Sequence, residues 1–135
     1  MRKAKVVRGG DVAGSKKEEP GIIGKMGINS KTVDNPHLTQ GHAIIPPSSR
    51  NQRHYHVRCD AAMHIVKGRL KMFFGPDHEQ EEVIVKTGDF IFVPAGVIHG
   101  LQNPSDTEEA ELVSSYGGVG SFEDAETLFV EPPWE

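Results

Sequence analysis

The sequence predicts an all-β chain, and three observations carry that expectation. From about His37 onward, short runs of apolar and β-branched residues alternate with turn residues: GHAII then PPSS, MHIV then KG, LKMFF then GPD, EEVIV then KTGD, FIFV then PAG, ELVSSY then GG. Strands this short, with a turn roughly every ten residues, read as a sandwich or barrel. Apolar residues recur at helical spacing nowhere except in SFEDAETLF near the end, where Ser121 would cap a short helix with Asp124 three residues on. No segment repeats at a fixed period.

The elements divide into an arm and a barrel. Residues 1–36 are rich in Gly, Lys and Asn, with apolar beads at Val6-Val7 and Ile22-Ile23. They predict an irregular arm with at most one short strand. Residues 37–135 hold the strand-rich barrel and a C-terminal tail, VEPPWE, which Pro132 and Pro133 keep from continuing a helix. A chain of 135 residues suits a single domain with a real core.

Charge and cysteine usage exclude several classes. The formal net charge is −4, whereas a nucleic-acid binder shows a basic stripe or patch. The charge is uneven: residues 1–36 hold eight Lys/Arg against four Asp/Glu, and residues 37–135 hold seven against fifteen. The basic arm reads as a solvated segment. The single cysteine, Cys59, leaves no internal disulfide framework and suits a reducing compartment. No apolar run is long enough to span a membrane, and MRKAKVVRGGDVAGSKK lacks an apolar leader core. The expected location is the cytoplasm, with no membrane partner.

The chemistry sits in HYHVRCDAAMHIVKG, residues 54–68. On a strand His54 and His56 project to one face while Arg53 and Tyr55 project to the other. Two imidazoles about 7 Å apart can hold a single metal ion between them. Forty-three residues after His56, GDFIFVPAGVIHGLQN carries His99. Gly88-Asp89 and Pro94-Ala95-Gly96 mark turns there. The segment is expected to form a hairpin that returns His99 across a barrel to face the other two.

Residues 88–103 resemble the second signature of the cupin superfamily: Gly88, Pro94, Gly96, His99 and Asn103 match at every position. The first signature is matched by His54, His56 and Gly68, with Ser48 where its first Gly would stand and Ala61 where its Glu would stand. The resemblance covers about residues 38–116. It implies a jelly-roll barrel with a metal ion near its axis and a homodimer, to which the bead AKVV would add a strand on a partner's sheet.

The departure at Ala61 leaves three expectations open. In the first, His54, His56 and His99 bind the metal ion as a three-histidine face with open positions. In the second, Asp60 replaces the missing Glu, against the strand parity unless a bulge re-aims it. In the third, no metal binds and the histidines line a polar pocket. His64 has the parity opposite to Ala61 and Met63, which points it outward. His37, His42 and His78 are expected to be structural or exposed, Cys59 a bystander thiol, and Asn103 a backbone-bonding residue. The alternation Met63/Ile65 and Met72/Phe74 suggests apolar walls, either ordinary core or one side of a substrate pocket. GGVG at 117–120 lacks the Lys-Ser/Thr of a phosphate loop, and Ser114-Ser115 has no nucleophile-elbow setting.

The functional expectation is a small metalloenzyme acting on a small organic acid or carbonyl compound. The three-histidine reading resembles iron-dependent dioxygenases of the superfamily, which puts Fe(II) first and Mn, Ni or Zn after it. The rival expectation is a non-catalytic barrel that binds a sugar or metabolite as a sensor or carrier.

Overall fold

A computed structural model describes residues 3–132, and its strands fall where the apolar runs and turn residues alternate. They are β1 (Ile23–Ile28), β2 (Leu38–Ile45), β3 (His54–His56), β4 (Ala61–Lys67), β5 (Arg69–Phe74), β6 (Glu81–Lys86), β7 (Phe90–Val93), β8 (His99–Gln102), β9 (Ala110–Gly117) and β10 (Thr127–Phe129). They form two five-stranded antiparallel sheets, ordered β1-β2-β9-β4-β7 and β10-β3-β8-β5-β6. This is the jelly-roll barrel that the sequence predicted. Among the described residues no helix is long and apolar enough to cross a membrane.

Period-two burial explains the core. Ala61, Met63 and Ile65 of β4 point inward, as do Leu70 and Met72 of β5 and Ala110 and Leu112 of β9. With Ile45 and Val93 they fill the space between the sheets. Met63, Ile65 and Met72 are core positions, with Phe74 packed at the margin, and Met63 and Met72 also border an internal cavity.

Turn chemistry sets the strand ends. Gly88 and Gly96 take φ of +99° and +83°, a region L side chains rarely enter. Ser48, at the place of the signature glycine, takes φ +60° and donates its N–H to the Ser105 carbonyl at 2.8 Å. Asn103 fastens neighbouring turns, as expected. Its Nδ2 donates to the carbonyls of Ile45, Pro46 and Glu108, and its Oδ1 accepts the Ser105 N–H.

Two local expectations need correction. The 88–103 segment is not a hairpin, because β7 and β8 lie in different sheets. The Pro94–Val97 turn is held by hydrogen bonds from Gly96 N–H to the His56 carbonyl and from Ala95 N–H to Asp60 Oδ1. It carries the chain from one sheet to the other, so His99 lies beside His54 in one sheet and not opposite it. The helix suggested by SFEDAETLF shrinks to a 3-10 turn, Glu123–Ala125. Ser121 Oγ accepts the Asp124 N–H at 3.0 Å, as a cap would, but Thr127–Phe129 leave for the sheet to pair with β3. A tertiary ladder outbids one marginal helical turn. The tail after β10 bends at Val130 and Glu131, and Pro133 lies outside the described residues.

The N-terminal arm is tied to the barrel. Strand β1 pairs with β2, and Ser15 and Gly24 exchange backbone hydrogen bonds of 2.7 and 2.8 Å that close the loop between them. Gly21, φ +98°, presses on β3's approach: a Cβ there would lie 1.8 Å from the Arg50 carbonyl oxygen. Ser49 Oγ donates to the Gly21 carbonyl, and Ile22 is buried. Val6 stays outside any strand and is 70% exposed.

Candidate metal centre

Strand β3 is three residues long, His-Tyr-His, and its alternation turns both imidazoles into the barrel. His54 and His99 are direct partners in the β3–β8 ladder, so three rings converge on one spot. Ring centroids are 5.1 Å apart for His54–His56, 4.4 Å for His54–His99 and 5.1 Å for His56–His99. One ring nitrogen from each lies within 4.8 Å of the others, and all three residues are buried.

The opposite ring nitrogens are all engaged. His54 Nδ1 donates to the Gln52 carbonyl at 2.7 Å and His99 Nδ1 to the Val97 carbonyl at 2.9 Å. His56 Nδ1 shares a 2.8 Å hydrogen bond with Thr127 Oγ1 of β10. A carbonyl can only accept, which puts a proton on Nδ1 of His54 and His99 and, in the neutral ring, leaves Nε2 with a lone pair. That is the tautomer a metal ligand needs.

Glu19, on the arm, completes the surroundings. Its Oε1 lies 3.1 Å from His54 Nε2, with the side chain 18% exposed. His54 Nε2 is buried and makes no hydrogen bond. An unsatisfied buried nitrogen is costly, and a cation held by all three rings would satisfy this one. The donor set fits a divalent ion that accepts imidazole, such as Fe(II), Mn(II), Ni(II) or Zn(II).

Burial and mutual repulsion set the charge here. Burial, then the charge of His54 and His99, lowers His56 to about 3. Burial and His54 lower His99 to about 4. His54 goes the other way: burial opposes its charge, but the Glu19 carboxylate raises it above the ordinary histidine value. Burial would raise Glu19 in turn, yet His54 beside it holds the carboxyl below its usual range.

The remaining residues stand apart from the cluster. Asp60 is exposed, with its carboxylate accepting the Ala95 N–H at 2.9 Å, so it does not replace the missing glutamate. His64 faces outward, stacked on Phe90 with centroids 4.2 Å apart and Nδ1 donating to the Asp89 carbonyl. His42 pairs with Glu111 across the β2–β9 ladder, while His37 and His78 sit in exposed turns. Cys59 is buried, and burial first, Asp60 second, push its thiol up to about 11. Such a thiol is unreactive.

Two spaces adjoin the cluster. A cavity of about 30 Å³ is lined by His56, His99, Glu19, Met63, Met72 and Tyr116, among others. That holds a water or an ion and little more. A groove of about 210 Å³ runs between arm and barrel wall past Glu18, Met26, His42 and Phe122. The two share Glu19, Ile22, Ala43, Ser114 and Tyr116. Tyr116 packs on His56 at 4.8 Å, and burial keeps its phenol well above its usual value.

Glu19 and Thr127 were missed by motif spacing. Glu19 had one faint signal: paired carboxylates just before a Pro20-Gly21 turn and the apolar bead Ile22-Ile23.

Fold and cluster together define a jelly-roll barrel with a buried, metal-competent histidine face. The chain belongs to the cupin domain family, whose model matches residues 41–116. A sequence relative, an uncharacterised protein of Aquifex aeolicus, is 28% identical over 107 residues, 78% of this chain and 83% of that protein. Among solved structures, Bacillus subtilis oxalate decarboxylase superposes with TM-score 0.75 at 16% identity, covering 96% of this chain and 34% of that one. The polyketide cyclase RemF of Streptomyces resistomycificus gives TM-score 0.73 at 15% identity, covering 96% and 87%. An oxalate oxidase with the substrate analogue glycolate gives 0.70 at 18%, covering 95% and 62%. The chain thus spans about a third of the decarboxylase, and these likenesses show a shared fold.

Proposed function

We propose that this cupin is a small metalloenzyme: His54, His56 and His99 hold one divalent ion, Fe(II) foremost and Mn, Ni or Zn next, and the substrate is a small organic acid or carbonyl compound. The observation that carries the reading is the orientation of the three rings, each with Nδ1 tied to an oxygen and Nε2 left for the centre. When bound, the ion supplies Lewis-acid polarisation of substrate oxygens and, for iron, dioxygen chemistry. The protein's part is to hold neutral imidazoles with Gln52, Val97 and Thr127, to keep water out with Met63, Met72 and Leu101, and to admit ligand along the groove past Tyr116. Oxalate as the substrate named for structural relatives supports the small-acid class. An oxygenase is the favoured reaction type, with lyase or isomerase chemistry behind it.

A sensor or carrier role is the second reading. It is favoured by the small size of the cavity at the histidines, about 30 Å³. Oxygen uptake with β-diketones, thiol acids or catechols by the metal-loaded protein separates the two. Turnover with any of them overturns the carrier, and ligand-induced thermal shifts without turnover overturn the enzyme.

The metal reading is tested by elemental analysis of untagged protein after Fe(II) or Mn(II) addition. About one ion per chain is expected, lost in His99→Ala; less than roughly 0.2 per chain overturns it. A cytoplasmic homodimer is part of the proposal. Its support is the apolar surface of edge strands β7 and β6, where Phe90 is 80%, Phe92 65% and Ile84 55% exposed. Sedimentation at micromolar concentration reads the dimer directly.

A further inference from the structure

We propose that Glu19, carried on the N-terminal arm, is the carboxylate ligand of this metal site and takes the role left vacant by Ala61. The inference rests on the metalloenzyme reading and concerns a residue outside the family match at 41–116.

Three observations converge. Glu19 Oε1 is 3.1 Å from His54 Nε2, the ring nitrogen left without a hydrogen bond. Glu19 also lines the cavity that His56 and His99 line, which puts the carboxylate at the edge of the three-histidine cluster. Among the described residues its one polar side-chain contact is that nitrogen. A largely buried carboxylate with so few partners is costly unless a positive charge sits beside it.

The arm is built to put the carboxylate there. The Ser15–Gly24 backbone pair closes the loop, and the Ile22 N–H donates to the Glu19 carbonyl at 3.3 Å. Gly21 packs against Arg50 where no side chain fits, with Ser49 bonded to its carbonyl. Ile22 is buried beneath. On β4, Ala61 is buried at 2% and ends in a methyl group, so the strand that carries the family's glutamate offers no oxygen. A divalent ion on three neutral imidazoles keeps its full charge; one carboxylate halves it and adds a hard oxygen donor. Glu18, the adjacent acid, lines only the outer groove.

The test is a Mn(II) titration of the full-length protein, with free ion read by its electron paramagnetic resonance signal. Glu19→Gln keeps the side-chain shape and should weaken Mn(II) binding at least about tenfold, while Glu18→Gln stays within about twofold. Adding Ala61→Glu to Glu19→Gln should recover affinity. Affinity in Glu19→Gln within about twofold of wild type overturns the proposal and leaves the three-histidine reading standing. A lower melting point of metal-free Glu19→Gln with unchanged Mn(II) affinity does the same, because Glu19 would then be only an ion-pair partner of His54. Absence of Mn(II), Fe(II) and Zn(II) binding by the wild-type chain overturns both. Should Glu19→Gln fail to fold, Glu19→Asp, which keeps the charge and retracts it by one methylene, is read against the same thresholds.

Discussion

His54 and His99 sit side by side as direct partners in the β3–β8 ladder, with ring centroids 4.4 Å apart. Side chains opposite one another in an antiparallel pair have their Cβ atoms about 5 Å apart. The backbone register therefore places these imidazoles side by side before any metal arrives. His56 joins from the same face of β3, one pleat along. The cluster is a product of strand pairing and not of loop placement.

Thr127→Val tests how His56 is oriented. The variant keeps β10 but removes the hydroxyl 2.8 Å from His56 Nδ1. Metal affinity should fall about tenfold with the fold retained, since partners of ligating histidines are typically worth that much. Chelator competition measures it, and unchanged affinity would mean that the ring is held by packing on Tyr116 and Phe122 alone.

Metal-free protein should lose stability in acid. His56 sits at about 3 and His99 at about 4, whereas both titrate near 6.5 when unfolded. Below about pH 6.5 the unfolded chain binds more protons than the folded one, so stability is full above that pH and declines towards 4 and then 3. The lowered Glu19 carboxyl adds to the decline, while the raised His54, whose contribution is present in acid and lost as pH rises, opposes it. Urea midpoints taken between about pH 7.5 and pH 4 give the slope, and a flat profile contradicts the burial of neutral imidazoles.

Gly21→Ala should unseat the arm. The substitution meets both a φ of +98° and the Arg50 carbonyl oxygen 1.8 Å from the new Cβ. A loss of about 2–3 kcal/mol is expected by thermal or urea unfolding. Proteolysis in the 15–24 loop should become faster than in wild type.

Ser48→Gly should stabilise the protein. Ser48 holds φ +60°, which glycine adopts freely. Relief of the left-handed conformation outweighs the entropy that glycine loses, for a gain of about 0.5 kcal/mol. A reduced urea midpoint would show that the Ser48 side chain contributes more than its backbone costs.

Much of the fold was legible because its signals are local. Strand and turn residues alternate on a short period, and Gly88, Pro94, Gly96 and Asn103 each do a backbone task that few other residues can do. His54 and His56 announced a shared face by parity alone. The hairpin expected at 88–103 was wrong because a tight turn looks alike whether it joins neighbours in one sheet or strands of two sheets. The helix expected in SFEDAETLF was wrong because three residues found a better ladder on β3 than a lone turn could offer.

By itself the sequence determined the all-β class, the inward pairing of His54 with His56, and the absence of a carboxylate at Ala61. Those follow from period-two alternation and residue identity, which need no distant contact. Only the tertiary structure decided that His99 lies beside His54, that Thr127 orients His56, and that Glu19 enters the site from the arm. Each of these joins residues far apart in the chain, and such contacts are set by sheet order and by the clamp of Gly21 on Arg50. Local spacing carries no record of either.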